Sequence, residues 1–136
     1  MNTDIVLLSV EDIRETEHIV PRRLRALKNF MQGQTHWTVP ITVEAGHRVL
    51  MDGHHRLNTA KALGLQYIPC VLLCYEKDNV IVESRRAEFV VTPENIIERG
   101  ISGNLYPAKT TRHIFGTEYR CSIPLSDLKT NTTIAA

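Results

Sequence analysis

The sequence predicts a small α+β domain, and three observations carry that expectation. Apolar residues gather in strand-length runs at 5–10, 40–44, 48–51 and 67–75. Stretches with helical spacing start at Pro21, His54 and Pro93. At 136 residues, with 43% hydrophobic and 23% charged content, the chain has room for one real core and hardly for two. The expected division is one domain over residues 1–128 and a polar C-terminal tail over 129–136.

Taken in order, residues 5–10 form a short apolar strand, and RETEH follows as a polar connector. In VPRRLRALKNFM, Val20, Leu24, Leu27 and Met31 share a helix face, Pro21 suits the first helical position and Gly33 closes the helix. Residues 40–44 alternate, with Ile41 and Val43 on one face and Thr42 and Glu44 on the other. Ala45-Gly46-His47 is a tight connection, and 48–51 returns as the second strand of a hairpin that delivers the chain to Asp52. From His54 the period becomes helical, with Leu57, Ala60 and Leu63 on one face and Gly64 at the end.

The run from Tyr67 to Tyr75 reads as a strand buried on both faces. Residues 80–83 fit a strand or a loop. Thr92 caps a helix that starts at Pro93 and ends near Gly100. Residues 102–111 are rich in turn formers and read as an irregular loop, followed by a short strand near 119–123 and a PLSDL turn.

The formal net charge of +1 gives no global reason to expect nucleic acid as a partner. The N-terminus lacks the basic region and cleavage site of a signal peptide, and no apolar run reaches the roughly 18 residues of a membrane span. Cys70, Cys74 and Cys121 form no metal-type CxxC pair, and their odd number suits a reducing, cytoplasmic setting.

Three stretches carry chemistry. In Asp52-Gly53-His54-His55-Arg56, a glycine lets the backbone approach a ligand and the N–H groups of a helix start point outward. Arg56 adds a planar donor fork, and the two histidines can donate to phosphate. Asp52 fits a magnesium ligand or an orienter of neighbouring groups. The plainer alternatives are a capping aspartate with solvated histidines, or a zinc site. Zinc is disfavoured because adjacent helical residues point about 100 degrees apart.

The second stretch is Glu15, Glu17 and His18 before a helix, where an acid either complements the helix dipole or reaches a neighbouring site as a general base. The third is YPAKTTRH, whose Lys109, Thr110, Thr111, Arg112 and His113 offer donors to an anion or simply make a basic surface loop. Trp37, the only tryptophan, covers a core edge or walls a pocket.

Together, ETEHIVPRRL, the strand starting at Pro40-Ile41, DGHHR, the following helix ending in Gly64, and the strand near Ile68-Pro69 resemble the ParB/sulfiredoxin-like fold, a mixed sheet with packed helices. DGHHR together with KTTRH is similar to the free L-serine kinase group within it. That resemblance implies phosphoryl transfer from ATP or ADP, with Mg2+, to free L-serine, giving O-phospho-L-serine. It implies Glu17 as catalytic base and Asp52 as a second catalytic residue, in direct or indirect contact with magnesium. Gly53, His54, His55 and Arg56 would hold the nucleotide phosphates. Lys109, Thr110, Thr111, Arg112 and His113 would hold the amino acid, with Trp37 beside it. A monomer or homodimer is expected, with no membrane partner. The competing expectation is a ParB-like nucleotide-binding or DNA-binding regulator without kinase activity.

Overall fold

The computed structural model describes residues 5–129, so most of the expected tail, 130–136, lies outside the described residues. In chain order the strands and helices are β1 (Val6–Ser9), α1 (Pro21–Gln32), β2 (His36–Trp37), β3 (Ile41–Glu44), β4 (Val49–Asp52), α2 (His54–Ala62), β5 (Tyr67–Leu73), β6 (Ile81–Ser84), α3 (Pro93–Ser102), β7 (Thr111–Ile114) and β8 (Ile123–Pro124). Single 3-10 turns follow β1 and β8.

The main sheet has the order β1-β5-β3-β4 and is mixed: β5 runs parallel to β3 and antiparallel to β1, and β3 pairs β4 as the expected hairpin. One face packs Ile41, Val43, Leu50, Ile68 and Cys70 against Leu57 and Ala60 of α2 and Met31 of α1. The other face carries Val49, Met51, Val71 and Leu73, covered by Ile96 of α3, Tyr106 and Tyr75. The alternation expected of 41–44 holds, with Ile41 and Val43 on the α1/α2 face, and both faces of the strand are covered. Thr42 and Glu44 are as buried as their apolar neighbours. The Glu44 carboxylate makes its burial tolerable by accepting from the N–H groups of Gly46 and His47, at 2.9 and 2.7 Å.

Helix α3 lies close on β4. A Cβ at Gly100 would meet Val49 Cγ2 at 2.7 Å, so only glycine fits there without a shift.

Other differences have local causes. Residues 81–84 form a strand because β7 supplies its partner, and β7 starts at Thr111, inside the stretch expected to be a loop. The strand expected near 119–123 shrinks to Ile123–Pro124, paired with the unexpected β2. The connector before α1 is pinned rather than free. Arg14 bridges to Val49 and Glu17 bridges to Tyr106, and the N–H groups of His18 and Tyr106 donate to Tyr106 O and Thr16 O at 2.9 and 2.8 Å.

Candidate functional site

The site begins where β4 meets α2. The β3–β4 register slips between Thr42 and Val43, so that Thr42 faces Asp52 while Val43 faces Leu50. Such an irregularity re-aims the strand end. The Asp52 N–H donates to Thr42 Oγ1 at 3.1 Å, leaving the carboxylate exposed (63%). Gly53 follows with φ of +121°. A Cβ there would stand 2.4 Å from Ile41 Cγ2, so both conformation and space demand glycine. No side chain caps α2, and its first N–H groups keep the orphan-donor character of a helix start.

A cleft of about 290 Å³ opens over this turn. One wall comes from Glu17, Arg23, Asp52, His54 and His55. The other comes from Arg85, Lys109, Thr111, Arg112 and His113 on the β6–β7 side. Two carboxylates thus share a concave space with four cationic side chains, an excess of positive charge suited to a polyphosphate. A second cleft of about 520 Å³ adjoins it at Asp52, lined by Arg56, Phe115, Tyr119 and Arg120 among others.

The Glu17 carboxylate is gripped by the loop that leads into β7. Its Oε2 accepts from the Thr111 N–H at 2.6 Å and from the Thr111 hydroxyl, and its Oε1 accepts from the Lys109 N–H at 3.2 Å. Lys109 takes a left-handed φ of 60° within that grip. Of the roughly four acceptor positions on a carboxylate, three are used and one on Oε1 stays open. Glu15 turns the other way, to Asn58 Nδ2 at 2.7 Å and Lys61 Nζ at 3.4 Å.

Both histidines of DGHHR look back at the connector. The His54 Nε2 accepts from the N–H groups of Thr16 and Glu17, at 3.1 and 3.2 Å, with the Thr16 hydroxyl 3.1 Å away. The His55 Nε2 accepts from the Val20 N–H at 2.9 Å. Burial, with His113 and His55 nearby, lowers the His54 pKa to about 3. Burial also lowers that of His55, with Arg23 adding to the effect. The expected donation to phosphate therefore fails at Nε2 of either ring, because a nitrogen that accepts has no proton to give. The same engagement leaves neither Nε2 free for a metal.

Three other expected site residues also need correction. Arg56 spends Nη1 on Pro40 O at 2.6 Å and Val39 O at 3.3 Å, and Nη2 reaches Asp52 Oδ2 at 3.3 Å. Its fork secures the start of β3 and faces the second cleft. Thr110 is fully buried, and its hydroxyl donates to Pro107 O at 2.6 Å, shaping the loop from within. Trp37 is 1% exposed, sits in the core and donates from Nε1 to Val39 O at 2.6 Å. The sheet-side packing of β2 against β8 takes it away from the cleft.

His113 lies within the cleft, its Nε2 3.0 Å from the Tyr75 hydroxyl and its ring stacked on Phe115. Burial lowers its pKa to about 4, with Asp52 pulling the other way. Sequence reasoning missed Arg23 and Arg85. Arg23 stands in the first turn of a helix whose N-terminus faces the connector, and Arg85 follows a strand that needed β7 to be recognised; the Arg85 N–H donates to Thr110 O at 2.7 Å.

No protein-family model matches the chain. An ATP-dependent L-serine kinase of Desulfurococcus mucosus is 33% identical over 79 residues, which are 55% of this chain and 31% of that protein. A ParB-like protein of Sulfolobus acidocaldarius is 34% identical over 58 residues, 43% of this chain and 28% of that one. The matched stretches thus span about a third of the curated relatives. Among solved structures, a free serine kinase mutant in complex with AMP superposes with a TM-score of 0.84 at 15% identity, covering 94% of this chain and 95% of that one. The fold is therefore a small α+β domain with a mixed sheet, shared with that structure. Within that class, it is the fold of the free serine kinases.

Proposed function

We propose that the protein is a nucleotide-dependent kinase that phosphorylates free L-serine to O-phospho-L-serine. The observation that carries this reading is the shared cleft of Glu17 and Asp52, ringed by Arg23, Arg85, Lys109 and Arg112. The likeness to L-serine kinases in sequence and fold supports it.

Phosphoryl transfer asks a protein mainly for positioning and charge neutralisation. The four cations offset the donor's phosphates, and the uncapped start of α2 adds N–H donors. Serine's hydroxyl, set against the open position on Glu17 Oε1, gives its proton to that oxygen as its own oxygen bonds to the terminal phosphorus. The bond from that phosphorus to the bridging oxygen breaks, and the shortened nucleotide leaves. Thr111, Arg112, His113 and Lys109 form the amino-acid side in this reading. His54, His55 and Gly53 contribute main-chain groups to the phosphate side.

Asp52 fits magnesium, since it is an exposed carboxylate with one protein partner on one oxygen. When bound, magnesium supplies neutralisation of the phosphate charge. ATP is the favoured donor, after the matched relative. No helix among the described residues is long and apolar enough to cross a membrane, in keeping with a cytoplasmic enzyme acting on small metabolites.

The test is direct. The protein, magnesium, free L-serine and either ATP or ADP are incubated, and O-phosphoserine is sought by mass spectrometry. Product that depends on nucleotide is expected. No product with either nucleotide, alongside tight DNA or CTP binding, would leave a ParB-like regulator as the better reading.

A further inference from the structure

We propose that His54 is a positioning residue for Glu17, acting as a hydrogen-bond acceptor rather than as a phosphate ligand. The role rests on the kinase reading for its activity readout, and on geometry for everything else. A backbone N–H can only donate, so the two that converge on His54 Nε2, from Thr16 and Glu17, require a bare lone pair there. The ring proton therefore sits on Nδ1. Residue 54 is buried at the first position of α2, directly after a glycine locked by Ile41, so the imidazole is held by the sheet and the helix together.

The segment it grips is anchored at both ends as well. Arg14 and Tyr106 hold the connector on one side, and His55 takes the N–H of Val20 just before α1. Tyr106 holds the flanking Thr16 O and His18 N–H, and His54 takes the N–H of Glu17 itself. The carboxylate of that residue is fixed independently from the opposite wall by Lys109 and Thr111. Backbone and side chain of the proposed base are thus clamped from the two sides of the cleft. A misplacement of about 1 Å in such a group costs on the order of 10²-fold in rate.

Steady-state kinetics of the full chain with ATP and serine would be compared for wild type, His54→Leu and His54→Gln. Glutamine can present an amide oxygen to the same two N–H groups. His54→Leu should lower kcat by about 10²-fold, with KM for ATP within threefold of wild type, and His54→Gln should restore kcat to within about tenfold. A raised KM with unchanged kcat in His54→Leu would make the ring a phosphate ligand and overturn the proposal. So would a His54→Gln variant that folds but is as slow as His54→Leu. If His54→Leu does not fold, the glutamine variant decides the kinetic question. Nitrogen-15 NMR of the wild-type chain decides the geometry without any substitution. The Nδ1–H tautomer is expected, and an Nε2–H tautomer would refute the role. If the wild-type chain makes no phosphoserine, the kinase reading fails while the tautomer still reports whether His54 holds the Glu17 peptide.

Discussion

Glu17 and Thr111 are 94 positions apart in sequence, yet two donors of Thr111, its N–H and its hydroxyl, meet one carboxylate oxygen of Glu17. The pair closes the cleft between the connector and β7. It also decides which part of the carboxylate is left to act, since the remaining open position lies on Oε1 rather than Oε2.

Glu17→Ala should lower kcat by about 10²- to 10⁴-fold, the usual contribution of a positioned base. Phosphoserine formation under saturating substrate measures it. A change of less than threefold would assign the proton to another group.

Thr111→Val keeps the shape and the N–H donor but removes the hydroxyl. A hydrogen bond to a charged group contributes about 1.5 to 3 kcal/mol. The variant should therefore show a comparable loss of stability in urea unfolding, with slower turnover. Unchanged values in both would mean that the hydroxyl contact is dispensable.

Asp52→Asn should leave the fold intact, because the carboxylate is exposed and the Arg56 guanidinium keeps its two carbonyl partners. Its thermal midpoint should stay within a few degrees of wild type while turnover falls and the magnesium requirement shifts upward. Wild-type dependence on magnesium in a magnesium titration would remove Asp52 from the metal role.

His113 makes stability depend on pH. Its folded pKa, about 4, lies below the ordinary 6.5 because the ring is buried, so the unfolded chain binds a proton that the folded chain refuses. The stabilisation is fully present above about pH 6.5 and is lost as pH falls from there toward 4. The loss is on the order of 1 to 3 kcal/mol. Urea unfolding at a series of pH values should show a steeper decline in wild type than in His113→Gln. Parallel curves would show that the ring does not sense the unfolding transition.

Gly53→Ala should be among the most damaging single changes in the chain. The added methyl group collides with Ile41 in a conformation that L residues rarely adopt. Thermal unfolding should show a loss of more than about 2 kcal/mol. A shift of less than 2 °C would mean that the turn relaxes freely.

What the sequence made legible was whatever local chemistry decides. Pro21 and Pro93 announced their helices, Gly53 its turn, and the apolar run from Tyr67 its central strand. The grouping of Glu17, Asp52 and the KTTRH loop was legible through the resemblance of their motifs. What long-range pairing decides was hidden. Nothing near 81–84 or 111–114 identifies either stretch as a strand until the other is in place, and Arg85 lies just past that pairing. Trp37 fitted a core edge or a pocket wall, and nothing local chose between them; it packs into the core. His54 and Arg56 looked like phosphate donors because their partners, Thr16, Glu17 and Pro40, are distant in sequence or belong to the backbone.

The four strands of the main sheet, with α1 and α2, are complete by Leu73, and they include the glycine turn and both histidines. The opposite wall of the cleft, with Arg85, Lys109, Thr111, Arg112 and His113, belongs to a separate two-stranded piece and the loop feeding it. Residues 6–73 are in that sense a socket and residues 74–129 a fitting. The fitting meets the socket through Ile96, Tyr106 and Leu128 as well as at the cleft, so any exchange that changes the molecule met at the turn must also keep the sheet covered there. Chemistry on this scaffold is then chosen by what docks against it.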